Sequence, residues 1–351
     1  MGRSLHPNGG VSGGGGAMKA VTCVIPHAYT VRWTQITVQS LLQHRNDADM
    51  DILIVDNSPI GNPSIRGITE TPYGEKVRVV PSKDLVNTGH QLALDHAIDL
   101  VDTPWFLSWE TDVRAMRDGW LDWMLSHVKD DFVAMAGWYW DAGFEDGRHY
   151  ISPAGALYRT SVLKSLKEEC LRNKDLSVCY GRDMSKRINL ATEYPHTAGM
   201  LIPQGNWGPF SECRGFGNVY PFPEVEQWTP EPGNWIFNRC EMQWECVRLP
   251  GGMVMNEQAQ ETGIPHKHTF VGPFEDPYFI HYWGGTVSHN FDKHNIYDFD
   301  IPKLWWWLRR EYDMWEAVVP EEIRRQTIDM GIVRPIDDEL AYAMTKVVPW
   351  K

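Results

Sequence analysis

The chain holds 351 residues, and at roughly 150 residues per domain that is about two domains, or one large domain with appendages. Its 33 basic and 46 acidic residues leave a formal charge of −13, and 42% of residues are hydrophobic, which excludes disorder of the whole chain. No apolar run reaches the roughly 18 residues of a membrane-spanning helix, and the acidic balance argues against a general nucleic-acid coat.

Residues 1–18 are glycine-rich and lack the apolar core of a secretory signal, so a flexible leader is expected. Six cysteines without a Cys-x-x-Cys pair speak against a zinc ribbon or a thioredoxin-type site, and point to free thiols in a cytoplasmic setting. Ala20 to Pro26 reads as a short strand, and Arg32 to His44 as a helix carrying Trp33, Ile36, Leu41 and Leu42. Asp51 to Asp56 contains the continuous run Ile52-Leu53-Ile54-Val55, the pattern of a strand covered on both faces. Val77 to Val80 is a further strand, Thr88 to Leu100 a helix with Leu92, His96 and Leu100 on one side, and Pro104 to Trp109 a strand.

This alternation predicts an α/β fold with a mainly parallel sheet, whose ligands bind beyond the carboxyl ends of the strands. The segments placed there are Pro26 to Thr30, Asp56 to Pro59, and Trp109 to Asp112. Further on, a helix with Trp120, Leu121, Met124 and Leu125 leads to the apolar run Phe132 to Trp140, then through a turn at Gly155 to a helix reaching Lys167. Residues 173–232 are irregular and rich in Gly, Pro and aromatics, as loops over a binding surface are. Asn234 to Val247 is predicted helical, Tyr278 to Trp283 a strand running into Gly284-Gly285, and the chain from Ile301 helical, with Leu304 to Trp315 and Pro320 to Met330 as segments. Trp305, Trp306 and Trp307 cannot share one helix face, so at least one meets another element, a partner or solvent.

The sharpest chemical constellation is Trp109-Glu110-Thr111-Asp112. Carboxylates at i and i+2, where a strand leaves the sheet, can converge on one hard divalent cation, and such an ion suits a nucleotide diphosphate. Solvated surface charge is the plainer alternative. Five motifs then occur in order. Val24-Ile25-Pro26 lies in a first strand and Ile54-Val55-Asp56-Asn57-Ser58 ends a second. Asn87-Thr88-Gly89 with Ala93 and Ala97 opens a helix. Phe106 to Asp112 carries the acidic triplet, and Gly119-Trp120-Leu121 follows it.

In these motifs, from about Val21 to Leu125, the chain resembles the family-2 and related glycosyltransferases of the GT-A fold. The resemblance implies a Rossmann-like GT-A domain over 19–299, with a nucleotide-sugar-binding half (19–125), an acceptor half (126–299), and a helical C-terminal segment (300–351). It implies a nucleoside-diphosphate sugar as donor, a UDP-sugar favoured, and Mn²⁺ or Mg²⁺ as cofactor. Asp56, with Asn57, would meet the base or ribose, and Pro26, His27, Ala28 and Tyr29 would line the ring. Asn87, Gly89, Glu110 and Thr111 would face the donor. Glu110 stands where the family carries the first Asp of an Asp-x-Asp, so the direct metal contact falls to Asp112, with Glu110 as its companion.

Among the late histidines His266, His268, His281, His289 and His294, the resemblance makes His281 the ligand completing the metal site and His289 its runner-up. An all-histidine zinc site is a weaker alternative. Glu231 lies nearest the slot of an inverting catalytic base, with Glu224 and Glu226 as rivals; retaining chemistry needs no such base, and the stereochemistry stays open. Trp207, Phe210, Phe216, Tyr220, Phe222, Trp228 and Trp235 could stack on a sugar or base, although core packing accounts for many such aromatics. Lys164 to Arg187 is basic within an acidic chain; a solvated face is the default, an anionic acceptor the alternative.

The expected function is metal-dependent transfer of a hexose or pentose to a hydroxyl of a glycan, a small molecule or a hydroxymethylated DNA base. The alternatives are a catalytically inactive nucleotide-sugar or carbohydrate-binding module of the same fold and a sugar nucleotidyltransferase. Pro26-His27-Ala28-Tyr29 lacks the glycine-rich first loop of the latter, and no Gly-x-Gly-x-x-Gly marks a dehydrogenase.

Overall fold

The strand-like runs of the first half lie side by side in a computed structural model, which describes residues 20–28, 30–57, 63–81, 90–129, 133–140, 150–151, 154–172, 245–255, 267–282, 301–338 and 341. The first half comprises β1 (Val21–His27), α1 (Val31–Gln43), β2 (Met50–Asp56), α2 (Pro63–Tyr73), β3 (Val77–Pro81), α3 (His90–Ile98), β4 (Trp105–Ser108), β5 (Val113–Ala115) and α4 (Trp120–Ser126). Then come β6 (Val133–Gly137), β7 (Tyr139–Trp140), β8 (Tyr150–Ile151), β9 (Ala156–Arg159) and α5 (Thr160–Arg172). The remainder gives β10 (Glu245–Arg248), β11 (Gly251–Met255), β12 (Lys267–Val271), β13 (Phe279–Tyr282), α6 (Ile301–Val318) and α7 (Glu321–Asp329).

The main sheet has seven strands in the order β10-β6-β9-β4-β1-β2-β3. β1, β2, β3 and β4 are parallel, β9 runs against β4 and β6, and β10 is parallel to β6. This is a mainly parallel, helix-flanked Rossmann-like sheet. A second, four-stranded sheet, β11-β12-β13-β5, is antiparallel.

Strand periodicity divides the core between the two faces of the main sheet. Cys23 and Ile25 of β1 and Ile52 and Ile54 of β2 pack with Trp33, Ile36, Ile65 and Ile68 from α1 and α2. Val24, Leu53 and Val55 point to the other face, onto Ala93, Leu94, Ala97 and Ile98 of α3 and Val162, Leu163 and Leu166 of α5. The buried face of α3 is 93/94/97/98; His96 is half-buried, and Leu100, just beyond the helix, packs against the same cluster. Small residues at 93 and 97 let the helix lie close to the sheet.

Two expectations are corrected. Residues 156–159 form β9 between the Gly155 turn and its helix, because Ala156-Leu157-Tyr158 is buried between β4 and β6. Residues 245–248, expected in a helix, form β10 beside β6, so pairing at the sheet edge overrides helical spacing. Residues 234–244 lie outside the described residues, as do 1–19 and 173–233. α6 and α7 close over α1 and α2, and of the tryptophan triplet Trp305 is 45% exposed. No helix among the described residues is long and apolar enough to cross a membrane.

Candidate metal and nucleotide site

β4 and β5 belong to different sheets, and a turn centred on Thr111-Asp112 carries the chain from one to the other. The turn is closed by Val113 N–H donating to Glu110 O at 3.2 Å. It is anchored below by Trp109, fully buried against Trp120 and Phe279, whose Nε1 donates to Val113 O at 3.0 Å. From the side, the Thr37 hydroxyl of α1 lies 2.6 Å from Thr111 O and 2.8 Å from Val113 O, and Thr30 Oγ1 lies 3.3 Å from Thr111 Oγ1. The β5–β13 ladder then sets His281 opposite Val113, and Tyr282 N–H donates to Asp112 O at 2.9 Å. Strand register thus brings a histidine distant in sequence to the acidic turn.

His281 Nε2 lies 3.3 Å from Glu110 Oε2 and 3.4 Å from Asp112 Oδ1. Asp112 and His281 are buried, whereas the Glu110 side chain is 28% exposed. Burial alone would lower the imidazole pKa; the Asp112 charge, reinforced by hydrogen bonding to Asp112 and Glu110, outweighs it and raises it from 6.5 to about 10. One ligand atom from each of Glu110, Asp112 and His281 lies within 4.8 Å of the others. Two ligands at right angles about an ion 2.0–2.2 Å away stand roughly 3 Å apart, close to the separations seen here. Two carboxylates and one imidazole are a donor set that suits Mn²⁺ and, with water, Mg²⁺. The residues fit a divalent cation.

Because β1, β2 and β4 are parallel, their carboxyl ends share one sheet edge with this turn. His27 is paired with Asp56 in register, and Asn57 N–H donates to His27 O at 2.7 Å. Asp56, Asn57 and His27 are buried, and Pro26 and Ala28 half-buried. The Thr34 hydroxyl donates to Thr30 O at 2.9 Å, so it accepts from His27 Nδ1 at 2.7 Å, which assigns the proton to Nδ1. Tyr29, Asn87, Gly89 and Glu231 lie outside the described residues, with Glu224, Glu226, His266, His289 and His294. His268 sits in β12 opposite Tyr282.

Thr37, which pins the turn, and Arg310, whose guanidinium lies over the Tyr282 ring, were not singled out by the sequence. Nothing in the local pattern distinguishes Thr37 from any other helical threonine.

The fold and site together define an α/β protein with a candidate divalent-cation centre at the carboxyl edge of its parallel sheet. Among solved structures it is similar in part to a mannosyltransferase from Pyrobaculum calidifontis in complex with GDP-Man and Mn²⁺, at 15% identity over 42% of this chain and 47% of that one, TM-score 0.36. It is likewise similar to S. aureus TarS in complex with UDP-GlcNAc, at 13% identity over 42% and 47%, TM-score 0.33. A third is 4-diphosphocytidyl-2C-methyl-D-erythritol synthase from Anaerococcus prevotii, at 11% identity over 44% and 78%, TM-score 0.34. The matched region spans about half the length of the two transferases. Such likeness is one of partial fold, not of chemistry. No family profile and no curated protein sequence matches the chain.

Proposed function

We propose that the protein is a metal-dependent glycosyltransferase, moving a hexose or pentose from a nucleoside-diphosphate sugar, a UDP-sugar favoured, to an acceptor hydroxyl. The observation that carries this reading is the meeting of Glu110, Asp112 and His281 at the sheet edge that also presents Asp56 and Asn57. Glu110, Asp112 and His281 would hold Mn²⁺ or Mg²⁺, whose charge offsets that of a departing diphosphate. Asp56 and Asn57 accept and donate hydrogen bonds to base and ribose, and Pro26 to Tyr29 form the wall beside them. Asn87 and Gly89 would contact the donor as well. Glu231 takes the acceptor proton if transfer inverts the anomeric centre. A glycan, a small molecule or a hydroxymethylated DNA base would serve as acceptor, in a cytoplasmic setting.

The test is a panel of UDP- and GDP-sugars, with and without Mn²⁺, scored by nucleotide release as each acceptor class is added. Turnover should require the metal, and Asp112→Asn should lower it at least about 100-fold while the circular dichroism spectrum is unchanged. Glu231→Gln should cost about 10²–10⁴ in rate for an inverting enzyme. Metal-dependent nucleotide binding without transfer to any acceptor would leave a binding module instead. Metal-independent turnover would remove the acidic cluster from the mechanism.

A further inference from the structure

The cluster has a charge problem that its three ligands do not solve. Two carboxylates and a divalent ion sum to zero, so a loaded site built from Glu110, Asp112 and neutral His281 offers no net attraction to a diphosphate beyond the ion's own open positions. A second fixed cation is present. Arg310, on α6, is half-buried, and its guanidinium carbon lies 5.1 Å from the centroid of the Tyr282 ring. Tyr282 directly follows His281, its N–H is bonded to Asp112 O, and Trp33 of α1 packs against its ring at 5.9 Å. Arg310 of α6 and Trp33 of α1 thus both meet the ring of the residue whose backbone is bonded to the acidic turn.

We propose that Arg310 is a diphosphate-binding residue, which brings a second positive charge to the loaded site and grips the donor's phosphates beside the metal. The inference rests on the nucleotide-sugar reading above and adds a C-terminal residue to it. Arginine suits the position because it stays charged when desolvated and its planar fork matches phosphate oxygens two at a time. Burial lowers the Arg310 pKa, while Tyr282 and the Asp112 carboxylate act against that shift.

A purely structural Arg310, balancing the carboxylates, and a phosphate-binding one differ in what the nucleotide loses. Removing a cation beside Glu110 and Asp112 leaves Mn²⁺ affinity equal or tighter, whereas a phosphate ligand is lost only by the nucleotide. Calorimetric titration of the full chain and of Arg310→Gln with Mn²⁺ alone, and then with UDP, GDP and UMP in saturating Mn²⁺, separates the two. The expected result is a loss of at least about tenfold in nucleoside-diphosphate affinity, a collapse of the preference for UDP over UMP, and Mn²⁺ affinity no weaker than before.

UDP affinity within about twofold of the parent, an equal loss for UDP and UMP, or a parallel loss of Mn²⁺ affinity would each overturn the proposal. If Arg310→Gln does not fold, Arg310→Lys carries the test. It keeps the charge but not the fork, so UDP affinity should fall several-fold with Mn²⁺ affinity unchanged, and undiminished UDP affinity overturns the contact. A parent chain that binds Mn²⁺ but neither UDP nor GDP overturns the nucleotide-sugar reading itself, and this inference with it.

Discussion

At the scale of single residues the site is a contest between a proton and a metal for His281. The imidazole is held protonated by Asp112 and Glu110 up to about pH 10, while a metal ion takes it neutral. The sign follows from the raised pKa. In the metal-free chain, the stabilisation from this group is complete below its ordinary 6.5 and is lost as pH climbs through about 10. Metal binding should therefore expel one proton across that window, and Mn²⁺ affinity should rise about tenfold per pH unit. Calorimetry at pH 8 in two buffers of different ionisation enthalpy measures the proton directly. His281→Ala should abolish the release and weaken Mn²⁺ binding by at least about tenfold. An unchanged titration would move the third ligand elsewhere, to His289 for instance.

At the scale of elements, the site depends on how β13 is seated. Gly155 has φ +91, and a Cβ there would stand 2.7 Å from the ring of Phe279, two residues before His281 on the same face of β13. Gly155→Ala should cost about 1–3 kcal/mol of stability, read by urea unfolding, and should weaken Mn²⁺ binding because Phe279 cannot move without its strand. Parent-like values for both would mean the ring shifts freely. The same elements mark where sequence is informative. Strands with unbroken apolar runs, such as Ile52 to Val55, and the acidic turn after Leu107 are legible because burial on both faces and abrupt polarity leave a local pattern. β5 is three residues long and includes Arg114, and β9 is a short strand at the entrance to a helix, so neither had a period to detect. The meeting of Asp112 with His281 is legible only through resemblance, since it is made by a ladder between distant segments. Arg310 carried no signal for the same reason.

For the molecule as a whole, the C-terminal helices are tied to α1 by polar contacts under cover. Arg32 Nε lies 2.6 Å from Glu311 Oε1, with side chains 2% and 1% exposed, and Arg32 Nη1 donates to Tyr312 OH at 3.1 Å. Gln35 bridges further along α1, donating to Thr327 Oγ1 at 2.9 Å and accepting from Trp315 Nε1 at 2.8 Å. Buried ion pairs give modest net stability but are costly to halve, because the remaining charge stays desolvated. Glu311→Ala should therefore destabilise the fold by about 3–5 kcal/mol, whereas the double change Arg32→Met with Glu311→Leu should recover most of that loss. Since Glu311 neighbours Arg310 on α6, the single variant should also weaken UDP binding in Mn²⁺, and the apolar pair should restore it. Urea unfolding beside calorimetry on both variants checks the coupling. A cost below about 1 kcal/mol for Glu311→Ala would mark an exposed pair and detach α6 from the site.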